Sequence, residues 1–128
     1  LPFYEAFSKL PLAIELELSD EKRVGLVHAE LPDDCDWSKV KDLLLNIDPS
    51  KIEAMRETSD MLWNRNQPLL PQEQRSRIQP VKNIDHVFHG HTIVENYLTI
   101  TNRTFMDLGA YRTGEIGLIQ PIEFLAKL

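Results

Sequence analysis

Residues 13–28 read AIELELSDEKRVGLVH, and no other stretch of the chain constrains its fold as strongly. Ile14, Leu16 and Leu18 alternate with Glu15 and Glu17, the period of two that marks a half-buried strand. Ser19-Asp20-Glu21-Lys22 is polar enough to turn. Val24-Gly25-Leu26-Val27 is then an apolar run of strand length, of the kind covered on both faces. The reading is a hairpin with His28 at the far end of its second strand.

Helical signals surround this hairpin. In LPFYEAFSKL, Phe3, Phe7 and Leu10 fall at helical spacing, and Pro11 stops the helix. Asp36 or Ser38 is placed to cap a helix through Val40, Leu43 and Leu44, which Asp48-Pro49-Ser50 interrupts. Ser50 is placed to cap a second helix, with Glu53 in the capping-box position and Ile52, Met55 and Met61-Leu62-Trp63 along it. Residues 64–80, NRNQPLLPQEQRSRIQP, read as an irregular loop. The last third is β-rich. Four short strands are predicted around 86–89, 98–100, 104–107 and 117–119, as a meander with turns at Asn102-Arg103, Gly109-Ala110 and Thr113-Gly114.

At 128 residues the chain reads as one domain, 1–128. With 14 basic against 20 acidic residues the net charge is -6, which argues against a nucleic-acid partner. No apolar run reaches the ~20 residues of a membrane span, and no secretion signal is visible. Cys35 is the single cysteine, which excludes an internal disulfide and fits a reducing, cytoplasmic setting. The chain begins Leu1-Pro2-Phe3 without an initiator Met, so a processed or partial polypeptide is expected.

Three places carry candidate chemistry, each with a plain alternative. His28, after an apolar strand, sits where strand ends present ligands; the alternative is a packed His satisfied by a carbonyl. In HVFHGHT, His89 and His91 lie two apart, so in extended backbone both point the same way and could approach one metal. The alternative is a polar strand end. Arg65, after Met61-Leu62-Trp63-Asn64, offers a planar fork of donors suited to phosphate, against the alternative of a surface arginine paired with an acid.

Taken in order, GLVHA, LWNR, FHGHT and FMDLGAYRTGEIGLIQ resemble the phosphoprotein phosphatase family of binuclear metallophosphoesterases, most closely its bacterial and phage-type serine/threonine phosphatases. The resemblance runs from about Leu10 to Gln120. It implies an α/β (α+β) fold, part of a metallophosphoesterase-like β-sandwich of mixed sheets flanked by helices. It also implies two divalent metals at the strand ends, manganese first, with iron and zinc as alternatives. Carried over residue by residue, His28 and His91 match ligands to one metal, and Arg65 matches an arginine that binds the substrate phosphate. His89 is then a neighbour of the site, and a packed Trp63 is expected to fix the backbone before Arg65. Asp107-Leu108-Gly109-Ala110 matches an Asp-Thr-Gly-Ala segment in which Leu108 departs from the pattern.

The family's Asp-x-His, Gly-Asp-x-x-Asp-Arg-Gly and Gly-Asn-His-Glu motifs are absent from these 128 residues. The resemblance therefore implies the C-terminal portion of a calcineurin-like metallophosphoesterase domain, inactive by itself. Its substrate would be a phosphoprotein or small phosphoester, cleaved by a metal-bridging hydroxide. Its partner would be the missing N-terminal half or a self-associated copy. Two other readings stand beside this one. They are symmetrical dinucleoside tetraphosphate hydrolysis within the same family, and a non-catalytic remnant that binds through an exposed sheet edge.

Overall fold

The computed structural model describes residues 1–48 and 50–128, with the side chains of Glu53 and Ala54 set aside. Pro49 and the Glu53 half of the expected capping box therefore lie outside the described residues. Helix α1 (Pro2–Phe7) precedes a hairpin of β1 (Ala13–Glu17) and β2 (Arg23–Val27). Helices α2 (Trp37–Leu45) and α3 (Ile52–Trp63) follow, then a 3-10 turn (Gln67–Leu69) and α4 (Gln72–Arg75). Strands β3 (His86–His89), β4 (Leu98–Ile100) and β5 (Arg103–Phe105) complete the sheet, and α5 (Ala110–Thr113) and α6 (Pro121–Leu125) close the chain. The result is mixed α/β, one five-stranded mixed sheet flanked by helices.

The strand order is β1-β2-β3-β5-β4, which corrects the expected meander. β2 pairs with β3 in parallel, Val24 opposite His86 through Val27 opposite His89. β5 also runs parallel to β3, and β4 turns back on its outer side. Parallel neighbours need a crossover of a dozen residues or more, and here the whole segment between β2 and β3 serves as one. The expected strand at 117–119 does not form. Gly109 and Gly114, both left-handed, bracket α5 and turn the chain aside, and Gly117 abuts the Met106 carbonyl too closely for any side chain. The expected loop at 64–80 carries two short helical turns, and it buries Gln67 and Ile78.

The main core lies on one sheet face. Val27 and Val87 meet Trp37 and Val40 of α2, Met61 of α3, and Leu31, Val81 and Ile84. Asp36 caps α2 by accepting from Ser38 N–H. For α3 the N-cap position falls on Lys51, which makes no side-chain cap, and the Ser50 hydroxyl donates to Asp48 at 2.6 Å. Gly25 exists for packing: a Cβ there would lie 2.6 Å from the Trp37 ring. That ring is held by its indole N–H, which donates to Glu15 at 2.6 Å.

The same bond reverses the expected orientation of β1. Ala13 and Glu15 turn toward the core, while Ile14 and Leu16 stay 43% and 41% exposed on the other face. On that face Phe124 of α6 covers Phe88 and His86, with ring centroids 5.8 and 6.3 Å away. It does not reach β1. Helix α1 also buries none of its residues. Among the described residues no helix is long and apolar enough to cross a membrane.

Two outcomes test this packing. Gly25→Ala should lose about 1–3 kcal/mol of unfolding free energy in urea, because the Trp37 ring has no room to retreat. His86 is buried, bonded to Thr104 Oγ1 at 2.7 Å, and burial pushes its pKa down to about 4. The unfolded chain then binds the proton more readily, so stability is complete above about pH 6.5 and falls as the pH drops toward 4. Urea titrations at pH 7 and pH 4.5 should differ by about 2–3 kcal/mol on this account, and His86→Gln should remove that share of the slope.

Candidate functional site

The parallel pairing of β2 and β3 brings their C-terminal ends side by side. His28 follows the last residue of β2, and Gly90-His91 follows the last of β3. His28 Nε2 lies 3.1 Å from His91 Nδ1, across 63 positions of sequence, with ring centroids 4.8 Å apart. Antiparallel pairing over the same four residues would have separated the two ends by roughly 13 Å.

His91 has φ 63, the left-handed region that only Gly, Asn, Asp and His enter with any frequency. This ends the alternation that put His89 and His91 on one side, and corrects that expectation. His89 points into the core instead. It is 1% exposed, its Nδ1 is 2.8 Å from Ala29 O, and its ring stacks on Phe105 at 4.8 Å. Burial drives its pKa down to about 3, so it is a neutral structural group. Gly90 N–H donates to His28 O at 2.9 Å and ties the two strand ends together.

Arg65 completes the cluster. Its Nε–H donates to His91 Nε2 at 3.0 Å. A guanidinium only donates, so Nε2 must accept. Neutral His91 then carries its proton on Nδ1 and passes a hydrogen bond to His28 Nε2. The pKa of His91 is lowered by burial first, then by Arg65 and by His28, which keeps the ring neutral in this arrangement. The terminal nitrogens of Arg65 make no hydrogen bond among the described residues. Trp63 is 70% exposed and sets its ring edge-on to His91 at 5.9 Å. The expected packed Trp63 is thus corrected: Met61, at 2% exposure, is the buried anchor before Arg65.

Residues 28–31 hold all of this. Ala29 N–H donates to Met61 O at 2.7 Å, and Ala29 O faces His89. Glu30 Oε1 accepts from Gln67 N–H at 2.8 Å, and Leu31 O accepts from Gln67 Nε2 at 2.7 Å and from Arg103 at 2.9 Å. Arg103, expected in a turn, is the first residue of β5 and is fully buried. Its guanidinium also reaches the carbonyls of Pro32, Asp33 and Gln79. Burial lowers its pKa and raises that of Glu30, against the pull of their opposite charges. Glu30, Gln67 and Arg103 went unnoticed in the sequence, because nothing local marks a polar residue as buried. Asp107 accepts from Gly109 N–H at 2.8 Å and shapes the turn into α5, with Leu108 half-buried beside it.

Two imidazole nitrogens 3.1 Å apart suit neighbouring positions on one metal, since ligand nitrogens sit about 2.0–2.1 Å from such an ion. They are part of a site and not a whole one. Among the described residues no group of three or more His, Cys, Asp and Glu side chains converges.

Comparison with curated proteins supplies a relative to set beside this geometry. Serine/threonine-protein phosphatase 2 of Salmonella typhimurium is 28% identical over 115 residues, 89% of this chain and 44% of that protein. The chain is similar to a bacterial serine/threonine phosphatase. It spans less than half of that relative's length. The similarity gives weak support to a relationship with the phosphoprotein phosphatase family. No family model matches the chain.

Arg103→Met should cost about 3–5 kcal/mol of stability, because it removes the buried cation near Glu30 and takes the donor from the carbonyls of Pro32, Asp33 and Gln79, while Leu31 O keeps Gln67 Nε2. Urea unfolding measures this, and a loss under 1 kcal/mol would contradict the role given to Arg103.

Proposed function

We propose that this chain is the C-terminal part of a metal-dependent phosphomonoester hydrolase of the serine/threonine protein phosphatase type. The observation that carries the reading is the meeting of His28, His91 and Arg65 within hydrogen-bond distance at one end of the sheet. His28 through Nε2 and His91 through Nδ1 would hold one of two divalent ions, manganese first; His91 would then carry its proton on Nε2, and the Arg65 bond to that nitrogen would be released. The ions would supply a bridging water that ionises near neutral pH and positive charge for the phosphoryl oxygens.

The chain's own residues do the rest of the work assigned to this half. Arg65 presents its terminal nitrogens to solvent beside the two imidazoles, a planar fork matched to two phosphate oxygens. Trp63 walls the site on the His91 side. Gly90 and Ala29 keep the two histidines in register. The remaining ligands would come from the missing N-terminal half. The exposed apolar pair Ile14 and Leu16 supports such a covering layer, since sheets with parallel pairs are ordinarily covered on both faces.

A small aryl phosphate with added manganese tests the proposal. The 128-residue chain alone should show no turnover above background, and a longer parent that supplies the missing ligands should turn over. In that parent, Arg65→Ala should lower kcat about 10- to 100-fold with metal content unchanged, because each charge-assisted contact is worth roughly 1.5–3 kcal/mol. Arg65→Lys should also be impaired. His91→Ala should lose bound metal. Normal kinetics in Arg65→Ala, or metal loss in that variant, would refute the assignment.

A further inference from the structure

The loop that carries Arg65 is tied to the 28–31 segment at both ends. At its start, Met61 O accepts from Ala29 N–H. At its end, Gln67 N–H donates to Glu30. Between them the bonds are local: Asn64 N–H to Asp60 O at 3.1 Å, Arg65 N–H to Asn64 Oδ1 at 3.0 Å, and Leu69 N–H to Asn66 O at 3.1 Å. We propose that Glu30 is a positioning residue for Arg65: its buried carboxylate takes the Gln67 N–H and so sets where the guanidinium stands over His28 and His91. This rests on the phosphate-binding reading of Arg65.

Three observations carry it. Glu30 is 1% exposed and reaches Gln67 from 37 positions away, so the bond is a tertiary tie and not a turn. Its second oxygen, Oε2, is buried without a partner. An unpaired carboxylate oxygen in the interior is costly, so stability alone is a poor reason for a carboxylate here. The Gln67 side chain is already fixed on Leu31 O, so the bond that Glu30 adds acts on the backbone. It orients the Asn66–Gln67 peptide, and with it the direction from which the chain leaves Arg65. Because Glu30 stands two residues from His28, one segment spaces the arginine from the histidine.

The test uses the 128-residue chain, nitrogen-15 labelled, with inorganic phosphate as the probe. In the unaltered chain the Gln67 amide should exchange with solvent far more slowly than that of Ser19 in the exposed β1–β2 turn; equal rates would overturn the proposal. Glu30→Met should move the Arg65 Nε–H resonance toward that of a free surface arginine and weaken phosphate binding about tenfold, the scale of a small misplacement. Glu30→Gln should restore both, since its amide oxygen still accepts from Gln67. Ile100→Val, a small change in the second core cluster against Ile78 and Phe105, should move neither. A folded Glu30→Met with unaltered resonance and affinity overturns the proposal, and so does an Ile100→Val that shifts both as much. If Glu30→Met does not fold, Glu30→Asp replaces it: the charge stays beside Arg103 while the acceptor retracts, and the same two shifts are expected. Should Arg65→Ala bind phosphate like the unaltered chain, the phosphate reading fails. Glu30 is then judged on the Arg65 Nε–H resonance, which needs no phosphate.

Discussion

Four residues, His28 to Leu31, fix the distances on which everything else depends. They leave the sheet at the end of β2 and turn into the interior from Ala29 on, where most of their polar groups find partners from other parts of the chain. Gly90 and His89 tie them to β3, Met61 ties them to α3, Gln67 to the loop beyond it, and Arg103 to β5. Individually such bonds contribute about 1 kcal/mol each. Their value here is geometric. A buried segment whose polar groups are satisfied by four distant elements cannot shift without breaking several bonds at once, so its neighbours share one frame.

The electrostatics of the frame are local. The chain is acidic overall, with a net charge of -6, yet its most buried charged group is a cation, Arg103. Carbonyl oxygens surround that cation, and the carboxylates of Asp33 and Glu30 act on it through space. His86 and His89 are held neutral by burial. Near the histidine pair the one fixed positive charge that reaches them is Arg65, which is why a net acidic composition says little about what this end of the sheet attracts.

Much of this was legible in the residues themselves. The β1–β2 hairpin, the Asp36 cap and the strand ending at His28 follow from local patterning and are present. The order of strands was not legible, because local turn signals cannot distinguish a hairpin neighbour from a strand that returns outside it; β4 does the latter. The face of β1 was misjudged for a related reason. Alternation shows that Ile14 and Leu16 share a face but not which face is covered, and the Glu15–Trp37 bond decides that from 22 positions away. His28, His91 and Arg65 could be singled out as residue types in suggestive places. Their partners Glu30, Gln67 and Arg103 could not, since burial of a polar side chain is a property of the assembled fold.

The parallel pairing of β2 and β3 also sets a timetable. An antiparallel hairpin would join its strands as soon as the turn was made, but β3 lies beyond a crossover of nearly sixty residues whose closure costs entropy before any contact repays it. During synthesis the chain carries His28 as a solitary imidazole until His91 has emerged and the crossover has folded. A truncated or stalled product would display one imidazole and no pair. The meeting of these two histidines therefore waits on the closure of the whole crossover.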